Sequence, residues 1–165
     1  GRTFSYLLFD GKQKIIITQN DIRAIQLAKA ALYAGAKLLM DKIGISAVDK
    51  IRFAGAFGSH IDVKYAMVLG LIPNCKISEV TSAGNAASTG ARIALLDSES
   101  RQEIETAVKQ IEKIETATEP LFQDYFVKAM SIPHESDDFS ELKKIFKFPE
   151  KNNVEIRSKR KRRRT

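Results

Sequence analysis

One stretch, residues 49–62, constrains the fold most, because it combines a short apolar run with two closely spaced glycines. It predicts a buried strand over 51–54 and a turn between Gly55 and Gly58. Asp62 can cap the helix that follows. Such a turn exposes backbone N–H groups at a helix start, where an anion is favoured, and glycine lets a ligand approach the main chain because no Cβ intervenes. Glycines also serve ordinary strand–helix turns, so the motif alone leaves both interpretations open.

The chain around this stretch alternates between strand and helix patterns, which is typical of the α/β class. Asp10-Gly11 suits a hairpin turn. Thr18 or Asn20 can cap a long helix that Gly44 ends. The predicted elements are strands over 4–9 and 14–18, a helix over 20–43, the strand over 51–54, a helix over 61–69, a strand over 76–80 and a helix over 86–96. This order predicts a mixed sheet flanked by helices, with the 51–54 strand near its centre.

Local signals predict further elements after residue 96. Ser100 and Glu103 have the spacing of a capping box and predict a helix to about residue 110. The alternation over 111–117 predicts a strand. Thr118 and Pro120 suggest the N-cap and first turn of another helix. The core is expected to include helix-spaced apolar residues from that helix and from a short amphipathic helix near the end: Leu121, Phe122, Tyr125, Phe126, Met130, Phe139, Leu142, Ile145 and Phe146.

The middle of the long helix carries mostly small side chains. Its small residues are Ala30, Ala31, Ala34, Gly35 and Ala36. They would allow a neighbouring element to pack closely, which is the more common use of such residues. The same space would also fit a flat ligand ring.

Composition limits the classes of function. The chain has 165 residues, 44% of them hydrophobic, which supports one core. Its single cysteine, Cys75, excludes a disulfide framework and a self-contained cysteine-ligated cluster. No apolar run is long enough to span a membrane, and we expect a cytoplasmic protein without membrane contact.

The net charge of +7 comes from the C-terminal end. Residues 1–156 carry equal numbers of basic and acidic side chains, so the body is not a basic nucleic-acid-binding domain. We expect a folded unit over 1–148 and a basic disordered tail over 149–165. The tail's basic residues are Arg157, Lys159, Arg160, Lys161, Arg162, Arg163 and Arg164. They could contact nucleic acid phosphates or serve as a solubilising or localising tail.

The order of these motifs resembles the C-terminal lobe of the ASKHA ATPase superfamily, which includes actin, sugar kinases and heat-shock chaperone ATPases and has a ribonuclease H-like fold. Four stretches are similar to the C-terminal region of ATP-dependent reductive activators of corrinoid proteins: 17–32, 53–62, 84–87 and 114–119. The resemblance covers about residues 4–142.

The resemblance implies that the chain is a C-terminal fragment of a longer activator. Members of that family carry an iron–sulfur domain and an ATPase core, and they use ATP to reduce cobalt(II) corrinoid to cobalt(I). The implied ligands are ATP and Mg, and the iron–sulfur cluster is expected upstream and not within this chain. The implied partners are a corrinoid protein, the upstream ATPase lobe and the iron–sulfur domain, and a homodimer is possible. The chain departs from the full pattern because it lacks a cysteine cluster and a first phosphate-binding lobe.

The resemblance also implies that backbone groups of the glycine turn receive the nucleotide. The candidate nucleotide-binding residues are Gly55, Ala56, Phe57, Gly58, Ser59, Gly84 and Asn85. Asn85 could hydrogen-bond a ligand, although asparagine at a helix start more often caps the helix. His60 beside the turn is a candidate for a cobalt or proton-transfer role, although a lone loop histidine is more often structural or solvated. His134 has no companion ligands in the sequence. No catalytic residue is assigned.

A different class of function remains open at this stage. An ATPase-like lobe could dock a partner without binding nucleotide, as a pure interaction module. Titration with nucleotide would distinguish the two.

Overall fold

The computed structural model describes residues 4–148. It opens with the predicted hairpin, in which β1 (Ser5–Asp10) pairs antiparallel with β2 (Lys14–Thr18). The register runs from Ser5 opposite Thr18 to Asp10 opposite Lys14, with an irregularity between Leu7 and Phe9. The expectations for the tail, 149–165, lie outside the described residues.

Helix α1 (Gln19–Lys42) follows β2 directly. Of the two predicted caps, the structure selects Thr18. Its side chain accepts a hydrogen bond from the Asp21 N–H at 3.3 Å, and the Asp21 carboxylate accepts one from the Thr18 N–H at 2.7 Å. This reciprocal pair satisfies two backbone donors. Gly44 follows the helix with a φ of +71°, which agrees with the prediction that this residue ends the helix.

The elements around the glycine turn form as predicted, except that the strand expected over 76–80 begins later in the chain. Strand β3 (Ile51–Phe53) leads through the turn to helix α2 (Val63–Leu69), which Asp62 caps and the left-handed Gly70 ends. The predicted strand over 76–80 is wrong, because the Glu79 N–H closes a 3-10 turn onto the Lys76 carbonyl at 2.9 Å. The strand, β4 (Val80–Ser82), begins only after that turn and pairs parallel with β3.

Helices α3 (Ala86–Leu96) and α4 (Ser98–Gln110) form a hairpin. The bounds of α3 match the prediction. The capping box at Ser100 is wrong, because the Asp97 carboxylate caps α4 by accepting hydrogen bonds from the N–H groups of Glu99 and Ser100. Asp97 is thus the single residue between the two helices.

Two predictions between α4 and α5 (Phe122–Ala129) are also wrong. The 111–117 segment forms no strand, since no described strand lies beside it to complete a ladder. Thr118 does not cap α5, because its hydroxyl donates to the Glu115 carbonyl at 2.9 Å inside a 3-10 turn. Leu121 takes the N-cap position without a side-chain cap. The last helix of the described residues is α6 (Ser140–Lys143).

Both antiparallel and parallel pairings occur, as the α/β prediction required, but within residues 4–148 they form two separate two-stranded sheets. The expectation that β3 lies at the centre of a sheet is therefore wrong for this part of the chain. A central strand needs a neighbour on each side, and among the described residues β3 pairs with β4 alone. Consistently, Ile51 and Phe53 are half-buried and Arg52 is exposed.

The core lies where α1 and α5 meet α2 and α6. Ala30 and Ala34 of α1 are fully buried, which confirms the packing interpretation for these two small residues. Phe139 and Leu142 are buried as predicted, whereas Ile145 is half exposed. The buried cluster comprises Ala30, Tyr33, Ala66, Met67, Ile72, Cys75, Val80, Ala129, Phe139 and Leu142.

The helix around α5 contributes less to the core than predicted. Phe126 and Met130 pack against the buried cluster, but Leu121 is about half exposed at the start of the helix. Among the described residues, no helix combines the length and apolar character needed to cross a membrane.

Candidate functional site

Two glycine segments distant in sequence meet in space. The Ala83 N–H donates to the Phe53 carbonyl at 2.8 Å, which extends the parallel pairing past the strand ends. The Gly55 N–H then donates to the Gly84 carbonyl at 2.7 Å. Both segments therefore lie at the carboxyl ends of β3 and β4, the edge at which open α/β sheets bind ligands.

Gly55 and Gly84 share a backbone conformation that favours glycine. Their φ angles are +106° and +61°. A Cβ built on either residue meets no atom within 4 Å. The main chain at this edge is therefore uncovered on the side where a side chain would otherwise project, which is the property expected of a backbone site for a ligand.

Gly58 is constrained for a different reason. A Cβ at Gly58 would lie 2.7 Å from the Cβ of Phe53, too close for any side chain. Gly58 is buried, and its lack of a side chain lets the turn pack onto β3. Its contact with a nucleotide stays a prediction, and its packing role means that a bulky substitution would disturb the strand as well.

The remaining residues of the turn are held by local hydrogen bonds. The Ser59 hydroxyl donates to the Ala56 carbonyl at 2.6 Å, and the Ser59 N–H bonds the same oxygen at 3.3 Å. Phe57 begins the 3-10 turn that Ser59 ends. His60 is exposed beside this turn, as the interpretation of a solvated histidine required.

Asn85 caps α3. Its side-chain oxygen accepts a hydrogen bond from the Ser88 N–H at 3.1 Å. The capping interpretation is therefore confirmed. The Gly84 N–H donates to the Ser82 hydroxyl oxygen at 3.2 Å, which fixes the segment before the helix.

Two cavities lie at the other edge, near the amino ends of β3 and β4. The smaller, of about 280 Å³, is lined by residues that include Tyr33, Lys37, Asn74 and Asp137. The larger, of about 430 Å³, is lined by residues that include Asp49, Asn74 and Cys75. Neither of these two cavities is lined by a predicted nucleotide-binding residue.

Cys75 lines the larger cavity without offering a reactive group. Its side chain is buried, and its sulfur lies 3.4 Å from the Asp49 carbonyl. Burial raises the pKa of this thiol, which disfavours the reactive thiolate.

Sequence reasoning missed a polar cluster on one face of α1. The fully buried Lys29 ammonium donates to the carbonyls of Ser131 and Pro133, the latter at 2.6 Å. Burial lowers the pKa of Lys29 to about 8. Tyr33 lies one turn further along α1 and donates to the Asp137 carboxylate at 2.7 Å. The four-residue spacing of Lys29, Tyr33 and Lys37 places them on one helix face and could have indicated the cluster.

Comparison with known proteins matches residues 2–143 to the family described as the C-terminal domain of RACo, the ASKHA domain. The chain is 44% identical over 120 residues to the corrinoid activation enzyme RamQ of Eubacterium limosum, covering 72% of this chain and 20% of that protein. It is similar to a solved reductive activator for corrinoid, iron-sulfur protein, with a TM-score of 0.68 and 31% identity over 79% of this chain and 22% of that one.

The predicted resemblance and the expected ASKHA fold class are therefore confirmed. The chain spans about a fifth of the length of these relatives. It belongs to the family of RACo C-terminal ASKHA domains.

Proposed function

We propose that this chain is the C-terminal lobe of the ATPase core in a longer reductive activator of corrinoid proteins. The longer protein would use ATP to drive the one-electron reduction of cobalt(II) corrinoid to cobalt(I). This lobe would contribute half of the MgATP cleft. The names of the relatives, a corrinoid activation enzyme and a reductive activator, support the proposal. The electron-donating iron–sulfur cluster would lie in the remaining part of the longer protein.

The observation that carries the proposal is the hydrogen bond between Gly55 and Gly84 at 2.7 Å. It joins two segments about thirty residues apart at the carboxyl edge of a parallel strand pair, where ligands of α/β proteins bind. Both residues leave the main chain open toward solvent. A nucleotide can approach such an edge to hydrogen-bonding distance because no Cβ intervenes.

Within this arrangement each residue has a distinct role. Backbone groups of Gly55, Ala56 and Gly84 would bind and orient the nucleotide. Gly58 lets the turn pack on β3, and Asn85 holds the start of α3. When bound, MgATP would supply the free energy for the unfavourable reduction. This lobe would hold the nucleotide in position.

The lobe would also dock against the rest of the longer protein. Strands β1 and β2 are continuous apolar runs, a pattern typical of strands buried on both faces. Yet Phe4, Tyr6, Leu8, Phe9 and Ile16 are each more than half exposed in the described chain. Exposed apolar area on this scale marks an interaction surface. The remaining four-fifths of the relatives' length supports intramolecular contact as its use.

Calorimetric titration of MgATP into the longer protein tests the nucleotide site. The informative variant is Gly84→Ala, with Gly44→Ala as a matched control. Both glycines have similar φ angles, +61° and +71°, and both have open space at the Cβ position. Each substitution should therefore carry a similar backbone cost, about 1 kcal/mol, but only Gly84 lies at the proposed site.

We expect Gly84→Ala to weaken MgATP binding at least about tenfold, which corresponds to about 1.4 kcal/mol. Gly44→Ala should bind like the unsubstituted protein. The 165-residue chain alone should bind weakly or not at all, since it would hold half of the cleft. No heat of binding in the longer protein, or equal affinities of the two variants, would show that the proposal is wrong.

A further inference from the structure

The turn formed by residues 134–137 is organised by one histidine nitrogen. The Nδ1 atom of His134 accepts hydrogen bonds from the N–H groups of Ser136, at 3.2 Å, and Asp137, at 2.9 Å. A nitrogen that accepts two such bonds carries no proton, so the ring is neutral with its proton on Nε2. The side chain is only 4% exposed.

The same turn is attached to α1. The Tyr33 hydroxyl donates to the Asp137 carboxylate at 2.7 Å, and the Tyr33 and His134 ring centroids lie 4.7 Å apart. The Lys37 ammonium lies 3.8 Å from the same Asp137 oxygen. The turn thus forms one wall of the cavity of about 280 Å³ that Tyr33, Lys37 and Asp137 line.

A second set of partners lies within reach of the same nitrogen. The other carboxylate oxygen of Asp137 is 3.9 Å from the Nδ1 of His134. A protonated Nδ1 would repel the two amide donors and attract this carboxylate. The His134 ring therefore has one bonding arrangement as a neutral base and a different one as a cation.

We propose that the His134 turn is a proton-operated latch that opens the neighbouring cavity. Protonation of Nδ1 breaks both amide hydrogen bonds and draws the Asp137 carboxylate away from the Tyr33 hydroxyl. The 134–137 turn then separates from α1, and the cavity widens on the side that this turn closes. The latch is distinct from the glycine edge and does not depend on nucleotide.

The charges around the ring support a latch that is closed at neutral pH. Burial lowers the pKa of His134, and the positive charges of Lys29 and Lys37 on α1 act in the same direction. The negative charges of Asp137 and Glu135 oppose them. Because the unfolded chain takes up this proton first, the stabilisation by the neutral ring is complete above about pH 6.5 and is lost as the pH falls below that value.

Amide hydrogen exchange in the full 165-residue chain tests the latch, with each rate referred to the intrinsic rate at the same pH. Between pH 7.5 and pH 5.0 we expect the protection of the Asp137 amide to fall about tenfold or more. The Ser88 amide is the matched control, since it donates to the Asn85 side chain, which does not titrate. The ring signals of His134 should change over the same pH range.

The variant His134→Asn completes the test. An asparagine oxygen can accept turn amides without titrating in this range, so protection of Asp137 should become independent of pH. If this variant does not fold, the unsubstituted chain still tests the proposal. The pH midpoint for the loss of Asp137 protection should then coincide with the pH midpoint for the change in the His134 ring signals. The proposal is overturned if the ring protonates while Asp137 protection is unchanged, or if protection is lost at a pH where the ring stays neutral.

Discussion

At the residue scale, the glycines of the candidate site differ in why they must be glycine. Gly55 and Gly84 adopt positive φ angles and leave open space, whereas Gly58 is required by its contact with Phe53. A substitution at Gly58 would therefore change the strand–turn packing before it changed any ligand contact. Gly84 is the sharper position for testing ligand binding.

Lys29 presents the strongest test of a single side chain. Its ammonium group donates hydrogen bonds to the carbonyls of Ser131 and Pro133. We expect Lys29→Met to lower the free energy of unfolding by about 2 kcal/mol or more, because hydrogen bonds to a charged group contribute about 1.5–3 kcal/mol each. Denaturant unfolding of the two proteins measures the difference.

Lys37→Met is the control for Lys29→Met. Lys37 lies on the same helix, but its side chain is about a quarter exposed and its charge partner is 3.8 Å away. Its loss should cost about 1 kcal/mol or less. Equal effects of the two substitutions would contradict the special role of the buried amine.

At the scale of elements, α1 organises the packing of the chain. Its polar face binds the 130–137 segment through Gln26, Lys29 and Tyr33. Its small residues let α5 approach, with Ala30 and Ala34 fully buried. The two faces of one helix thus hold both the apolar core and the polar cluster.

Gly35, within α1, is expected to be replaceable with a gain in stability. A Cβ at this position meets nothing within 4 Å, and the backbone is helical. We expect Gly35→Ala to raise the free energy of unfolding by about 0.5–1 kcal/mol, because alanine loses less conformational entropy in a helix. Thermal unfolding should show a higher midpoint.

Gly70→Ala provides the opposite case for the same measurement. Gly70 has a φ of +73°, and a Cβ there would lie 2.0 Å from the Pro133 carbonyl oxygen. This variant should be strongly destabilised. A loss of stability in Gly35→Ala comparable to that in Gly70→Ala would mean that the space beside Gly35 is filled.

At the scale of the whole molecule, many large apolar side chains of the described residues stay exposed, and several of them lie on the β1–β2 hairpin. Neither face of the β1–β2 hairpin is buried along its length. A two-stranded hairpin is marginally stable without a further packing partner. The proposed contact with the rest of a longer activator would supply that partner.

Hydrogen exchange can compare the chain alone with the longer protein. We expect the amides of β1 and β2 to exchange much more slowly in the longer protein, because packing on both faces would suppress local opening. Amides of Ala66 and Met67 in α2, already buried in this chain, should change little. Equal protection of the hairpin in both proteins would argue against its coverage.

The sequence by itself determined the elements whose signals are local. The Gly44 terminator, the Asp62 cap and the bounds of α3 follow from side-chain-to-backbone hydrogen bonds and from backbone conformation within a few residues. Such signals need no distant partner. Where two local signals competed, as at Asp97 and Ser100, the sequence did not show which residue would reach the free N–H groups.

Only the tertiary structure decided what depends on residues far apart in the chain. The 111–117 segment alternates like a strand, but no strand within residues 4–148 lies beside it to complete its hydrogen bonds. Lys29 can be buried because carbonyls about a hundred residues later accept hydrogen bonds from its ammonium group. Gly55 and Gly84 form one edge because β3 and β4 pair in parallel. The physical reason is common to all three: a hydrogen bond between distant residues exists only after the chain has brought its donor and acceptor together.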